Sequence, residues 1–247
     1  MENNIKVKVC NLTKKFGDLH VLDNISFNVQ KREFLCIVGP TGCGKTTFLN
    51  SLTKLYDITA GSILINNEPV NLYRHNISYI FQEYSTMPWL TVEENVGFGL
   101  KIKKIHNKER ERIVNEMLDL VGLNKFRKYY PKEISASMLQ RVVIARAFAT
   151  KPELLLMDEP YGQLDIELRF KLEDELIKLW QKLKTTVIFI THNIEEAVYL
   201  GERILVLTNK PTKIKKEIVN DLSRPRNIAD PKFINLINRI TELIKWW

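Results

Sequence analysis

The sequence has no apolar run long enough to cross a membrane. Runs such as Leu154–Met157 and Val187–Ile190 span four residues each, against roughly 20 for a spanning helix, so no segment is expected to span. Residues Met1 to Lys8 mix charges with Ile and Val and lack the apolar stretch of a secretory signal; the expectation is a cytosolic chain. Cysteine is scarce. Cys10, Cys36 and Cys43 form an odd set without metal-ligand spacing, which argues against a disulfide framework and reads as reduced thiols. Ten glycines and nine prolines in 247 residues are too few for a low-complexity or disordered chain, and no internal repeat is visible.

What is present is material for a core: 45% of the residues are hydrophobic, enough for one large domain or two closely joined subdomains. The net charge is +8. It suits an anionic partner such as nucleotide, lipid headgroups or nucleic acid, or simply a solvated surface. The basic clusters Lys101–Lys104 and Lys213–Lys216 carry no interleaved aromatics, unlike a single-strand binder.

Periodicity organises the chain. Ile5–Val9 alternates and Val21–Val29 alternates loosely, as strands do. Glu33–Val38 is a near-continuous apolar run, the pattern of a buried parallel strand. Residues 101–130 and 137–149 read as helical, Leu154–Met157 as a buried strand, and 166–183 as a helix with Leu168, Leu172, Leu176, Leu179 and Leu183 on one side. Val187–Ile190 is a further strand, Glu195–Leu200 a helix, Arg203–Leu207 a strand, and Phe233–Trp247 an amphipathic helix. Its Trp246-Trp247 ending suits a membrane surface or a partner, or the helix packs on its own domain. Strands alternating with helices predict an α/β fold, a parallel sheet covered by helices, with a mostly helical insert over 84–152.

Gly39-Pro40-Thr41-Gly42-Cys43-Gly44-Lys45-Thr46-Thr47 fits the phosphate-loop pattern G-x-x-x-x-G-K-[ST] and lies between an expected strand and an expected helix, the context that the pattern requires. The glycines let backbone N–H groups turn toward phosphates, and the following helix adds its positive N-terminal end. Lys45 supplies a cation for the β- and γ-phosphates of ATP, and Thr46 a hydroxyl for Mg²⁺. Cys43 places a thiol in the loop, so a thiol reagent is expected to block nucleotide binding. Leu154–Met157 ends in Asp158 and Glu159. Alternation along a strand gives the two acids different tasks: Asp158 suits the Mg²⁺ shell, and Glu159 a general base for the attacking water.

With these motifs the chain resembles the ATP-binding subunits of ABC transporters over nearly its whole length. Ile80-Phe81-Gln82-Glu83 resembles the Q-loop, Tyr161-Gly-Gln-Leu-Asp165 the D-loop, and Ile190-Thr-His192 the switch-histidine loop; Phe16 resembles the aromatic that stacks on adenine. Met87–Asn95 and Thr191–Val198 are similar to importers of the nitrate, sulfonate and taurine group. Taken singly, Phe16 reads as core, Gln82 as a loop residue, His192 as a structural histidine and Asp165 as a helix N-cap. Their joint order carries the functional readings.

The resemblance implies a P-loop NTPase (RecA-like) core over 1–83 and 153–230 with an N-terminal antiparallel β subdomain. It implies an inserted α-helical subdomain over 84–152 and a C-terminal helix over 231–247, all one ABC ATPase domain. It further implies ATP hydrolysis coupled to transport. In that reading His192 meets the γ-phosphate, Gln82 reaches Mg²⁺ and the water, and Asp165 and Ser135 join the nucleotide site. The implied partners are integral membrane subunits docked on residues around 84–100, a second ATP-binding subunit and a solute-binding protein, with no nucleic acid. The implied location is peripheral, at the cytoplasmic face of the membrane. Two rivals stand beside it: a soluble ABC-type ATPase of nucleic-acid maintenance or cluster assembly, and a regulatory subunit that binds ATP and hydrolyses it poorly.

One motif departs from the family. Where the signature has Leu-Ser-Gly-Gly before Gln or Met, this chain has Ile134-Ser135-Ala136-Ser137-Met138. The resemblance implies that the signature, at a helix N-terminus, closes on ATP held by the phosphate loop of a second subunit; glycine permits close approach and unusual backbone angles, so two added side chains are expected to crowd or twist that contact. A heterodimer with a partner carrying an intact signature, or a homodimer that tolerates Ala and Ser, follows.

Overall fold

The computed structural model describes residues 4–162 and 164–244. Gln163 of the D-loop stretch, the first three residues and the Trp246-Trp247 ending lie outside them. In chain order the elements are β1 (Ile5–Phe16), β2 (Leu19–Gln30), β3 (Phe34–Val38), α1 (Lys45–Leu52), β4 (Ala60–Ile65), β5 (Glu68–Pro69), β6 (Ile77–Ile80), α2 (Val92–Ile102) and α3 (Asn107–Leu120). They continue with α4 (Ala136–Ala149), β7 (Leu154–Asp158), α5 (Ile166–Leu183), β8 (Thr186–Thr191), α6 (Ile194–Leu200), β9 (Arg203–Leu207), β10 (Ile214–Val219) and α7 (Pro231–Ile244). These form two compact units, residues 4–75 with 186–244, and residues 76–185.

In the first unit β2, β1, β4 and β5 make an antiparallel sheet in that order, and β10, β9, β3 and β8 lie side by side in another. β3 runs parallel to both β8 and β9, and all five of its residues are buried. A strand covered on both faces selects apolar side chains throughout, each contributing roughly 1.5–3 kcal/mol by burial; hence the unbroken Phe34–Val38 run. The antiparallel sheet rests on α1 through Phe27 and Phe48, whose rings lie 5.5 Å apart. Glu33, at the foot of β3, is paired with Arg203 of β9 at 2.9 Å. Phe233 and Ile240 of α7 are buried, and Phe233 meets Tyr199 of α6 edge-on.

In the second unit β6 and β7 pair in parallel from Ile77↔Leu154 to Ile80↔Met157, and α2 to α5 accompany them. A capping box of Thr91 and Glu94 starts α2. Buried Asn95 donates to the carbonyls of Met87 and Leu90 and accepts from the Met87 N–H, which fixes the segment before the helix. The helix expected over 101–130 is interrupted. α2 ends at Ile102, Lys104 takes a left-handed conformation, α3 covers Asn107–Leu120, and the chain then continues in loop and short 3₁₀ turns. The apolar stripe of Ile113, Met117 and Leu118 is buried in α3 as its spacing indicates.

β4 crosses β1 at a point where only glycine fits. Gly61 has φ +88°, and a Cβ there would lie 2.3 Å from the Asn11 carbonyl oxygen. Gly61→Ala is therefore expected to lower stability by more than about 1 kcal/mol, read as a fall in the denaturant midpoint with unchanged slope.

Candidate nucleotide site

Strand register decides which loops meet within each unit. In the first unit Val38 of β3 pairs with Thr191 of β8, so Gly39 and His192 leave neighbouring parallel strands at their carboxyl ends, where open α/β sheets bind ligands. In the second unit Ile80 pairs with Met157. Gln82 therefore follows β6 two residues on, beside Asp158 and Glu159 at the end of β7.

The loop from Gly39 to Gly44 curls around Lys45. The Cys43 N–H donates to the Pro40 carbonyl at 3.2 Å. The Lys45 ammonium, only 5% exposed, donates to the carbonyls of Gly39 and Pro40 at 3.0 Å each. Gly44 stands at φ +113°, where a Cβ would meet Val21 at 2.8 Å. Only glycine lets the chain swing into α1 there. No side chain caps α1 and no acid lies in its first turn, so its leading N–H groups keep their positive end for an anion. Thr41, Gly42 and Thr46 are exposed, while Pro40 and Thr47 are half-buried.

Phe16 closes the β1–β2 hairpin opposite Leu19, on the strand pair whose Val21 and Leu22 flank Gly44. It is 41% exposed. Tyr56 meets it edge-on at 5.3 Å, and the Lys14 ammonium lies 4.4 Å over its ring. The surface thus offers an aromatic face for a nucleobase. His192 is exposed.

On the other unit Asp158 is 5% exposed and accepts the Tyr79 hydroxyl at 3.3 Å. Glu159 is held at φ 45°, a left-handed backbone that costs a non-glycine residue about 1 kcal/mol or more; such strain persists where the surroundings impose it. Gln82 is exposed. Asp165 caps α5, accepting the Leu168 N–H at 3.0 Å. Ser135 caps α4, accepting the Met138 N–H at 3.3 Å, and its hydroxyl lies 3.1 Å from that of Ser137. Ala136 and Ser137 occupy the first turn of α4 without positive φ. The altered signature thus leaves the backbone of this turn helical.

The phosphate-loop groups of the first unit fit a nucleotide. An uncapped helix start with an ammonium curled into the loop suits phosphates.

Residues 22–162 match the ABC transporter family. The chain belongs to that family. It is an ATP-binding, ATP-hydrolysing cassette. An uncharacterized ABC transporter ATP-binding protein of Methanocaldococcus jannaschii is 43% identical over 245 residues, 98% of this chain and 92% of that protein. The aliphatic sulfonates import ATP-binding protein SsuB of Bacillus thuringiensis subsp. konkukian is 42% identical over 230 residues, 93% of this chain and 90% of that protein. Among solved structures, the dimeric ABC transporter cassette MJ0796 superposes with a TM-score of 0.75 at 33% identity, covering 86% of this chain and 98% of that one. The same cassette is known in a post-hydrolysis state bound to ADP and Pi.

Two residues of this cassette escaped the sequence reading. Tyr79 precedes Gln82 by three on β6, and strand alternation, which sets it on the face of Phe81, was the available signal; the two rings stack at 4.3 Å. Thr212, fully buried, donates its hydroxyl to the Cys43 carbonyl across 169 positions, and no local pattern announces it.

The expectation for Cys43 is overturned. Its side chain is 1% exposed, and burial pushes the thiol above its usual range against the pull of Lys45. The thiolate is the nucleophile, so at pH 7–8 Cys43 should stay unalkylated in the folded protein. Its rate should keep climbing about tenfold per pH unit beyond the ordinary thiol pKa. Peptide mass spectrometry after timed alkylation, with and without denaturant, checks this.

Proposed function

We propose that this cassette is the ATP-hydrolysing subunit of a membrane importer for a small anionic or organic solute, bound peripherally at the cytoplasmic face. The observation that carries the import reading is 42% identity, over 93% of the chain, to a protein named for aliphatic sulfonate import. Among the described residues no helix is long and apolar enough to cross a membrane, so the transport path belongs to a partner.

The proposed roles follow from the family resemblance together with the chemistry of each group. The backbone from Gly39 to Thr47 and the Lys45 ammonium bind the phosphates, and Phe16 stacks on adenine. Thr46, Gln82 and Asp158 would hold Mg²⁺, which when bound neutralises phosphate charge. Glu159 takes a proton from the attacking water, His192 contacts the γ-phosphate, and Asp165 and Ser135 complete the site with a second ATP-binding subunit. That subunit is a second copy or a different chain.

The second unit offers a surface for a membrane subunit. A groove of about 650 Å³ runs beside α2 and α3, lined by Trp89, Phe98, Glu94, Lys101 and Arg110, and Trp89 is 73% exposed. Glu93 on its wall is bound by Lys128 and, at 2.6 Å, by Arg127. Although burial alone would raise its pKa, these two bonds hold the carboxyl below the usual range. An amphipathic cytoplasmic helix with mixed charges fits such a groove. A solute-binding protein outside the membrane completes the proposed importer.

Glu159→Gln and His192→Ala should each lower ATP turnover by about 10²–10⁴-fold while nucleotide affinity changes little; Lys45→Ala should lose affinity itself. Steady-state hydrolysis beside equilibrium binding separates these, and a fully active Glu159→Gln protein rules out the base assignment. Copurification with an integral membrane protein supports the transport reading. Salt-dependent DNA binding would move it to nucleic-acid maintenance.

A further inference from the structure

The turn between β9 and β10 runs along one wall of the phosphate loop. Thr208 and Lys213 close it: the Thr208 N–H donates to the Lys213 carbonyl and the Lys213 N–H to the Thr208 hydroxyl, each at 2.9 Å. Within it, Thr212 is fastened to β2 by both of its backbone groups. Its N–H donates to the Val21 carbonyl and its carbonyl accepts the Asp23 N–H, each at 2.9 Å. The Lys213 ammonium adds an ion pair to Asp23 at 3.0 Å. Thr212 is fully buried, and from this fixed backbone its hydroxyl donates to the Cys43 carbonyl.

That bond holds a peptide plane whose orientation the local sequence leaves open. Cys43 stands between Gly42 at φ +76° and Gly44 at φ +113°, and glycine populates positive and negative φ about equally. The Cys43–Gly44 peptide is trans, and in a trans peptide the C=O and the N–H point to opposite sides. Fastening the carbonyl to Thr212 therefore turns the Gly44 N–H away from the wall formed by Val21, Leu22 and Thr212, a wall that is buried and closed to a ligand. We propose that Thr212 is a positioning residue for nucleotide binding: its hydroxyl fixes the Cys43–Gly44 peptide so that the Gly44 N–H is presented to a phosphate before the nucleotide arrives. The proposal rests on the reading that the loop from Gly39 to Thr47 binds the phosphates.

A donor set in place on folding contributes its whole hydrogen bond on binding, because the cost of ordering it has already been met. Without the Thr212 hydroxyl, the Cys43 carbonyl loses this hydrogen bond in a buried place, which is costly, and the peptide is released to rotate toward another partner. The phosphates then meet a loop that must be ordered as they bind. A hydrogen bond to a charged group is worth about ten- to a hundredfold in affinity, so a loss of that size is expected. It should fall on every ligand that carries the nucleotide's phosphates, ADP as well as ATP.

The test uses the full chain carrying Thr212→Val, which keeps the shape and removes the donor, beside Thr212→Ser, which restores a hydroxyl, and Lys45→Ala, which probes the loop itself. The measurements are equilibrium binding of Mg-ADP and of a non-hydrolysable ATP analogue with Mg²⁺, made well below each variant's thermal midpoint so that lost stability alone does not register. The expected result is affinity at least about tenfold lower for both ligands in Thr212→Val and within about twofold of the parent in Thr212→Ser. Thr212→Ala takes the place of Thr212→Val if the latter does not fold. Should Lys45→Ala lose affinity while the folded variant without the hydroxyl stays within about twofold of the parent, the positioning proposal is overturned and the phosphate loop stands. Should Lys45→Ala itself keep its affinity, the phosphate reading of the loop fails and the positioning proposal with it. Equal losses in Thr212→Ser and Thr212→Val would also overturn the proposal, because they mark the methyl group and its packing as the cause.

Discussion

The parallel pairing of β3 with β8 is the constraint on which the nucleotide-binding half of this protein depends. Val38 faces Thr191, and that register is held by strands whose every residue is buried. A slip of one residue would exchange the packing partners of every side chain on both close-packed faces. It would also move the loop at Gly39 out of step with His192. Burial energy thus sets where these two loops leave the sheet. The same holds for β6 and β7, where Ile80↔Met157 sets Gln82 beside the two acids.

Against these rigid strands the candidate site residues carry features that stability alone does not favour. Glu159 keeps a left-handed backbone, Lys45 is an ammonium with almost no exposure, and Asp158 is a buried carboxylate at a strand end. Each is costly in isolation, and each occurs immediately beyond a buried strand that can hold it. Phe16 departs in the opposite sense, as an aromatic ring left partly in solvent.

Legibility in the sequence followed burial and local pattern. The strands β3, β7, β8 and β9 were readable because burial on both faces leaves an unbroken apolar signature, and the phosphate loop because it joins one of them to a helix. β6 and β10 were not: Ser78 and Tyr79 interrupt the first, and Lys215-Lys216-Glu217 the second, so neither shows a clean period. β4 opens on exposed Ala60 and Gly61 and is only partly buried, and β5 has two exposed residues. The break between α2 and α3 was hidden because charged residues carry the pattern across it. Thr212 depends on a tertiary contact across 169 positions, which no window of sequence contains. The signature stretch was legible as an anomaly, yet its consequence was not: Ala136 and Ser137 fit an ordinary helical turn.

That helical turn bears on how two cassettes would close on ATP. Its backbone asks for no glycine, so the two substitutions add only the bulk of one methyl and one hydroxymethyl group, and Ser135 is exposed with its hydroxyl beside that of Ser137. The account treats the chain as a motor closed by ATP. The most direct measurement is gel filtration of Glu159→Gln with and without Mg-ATP, next to the same protein carrying Ala136→Gly and Ser137→Gly. The account predicts that both become dimers when Mg-ATP is added and return to monomers without it. If neither dimerises although both bind ATP, closure by nucleotide is contradicted; if only the glycine-restored protein dimerises, self-pairing is contradicted and the native partner must be a different ATP-binding subunit.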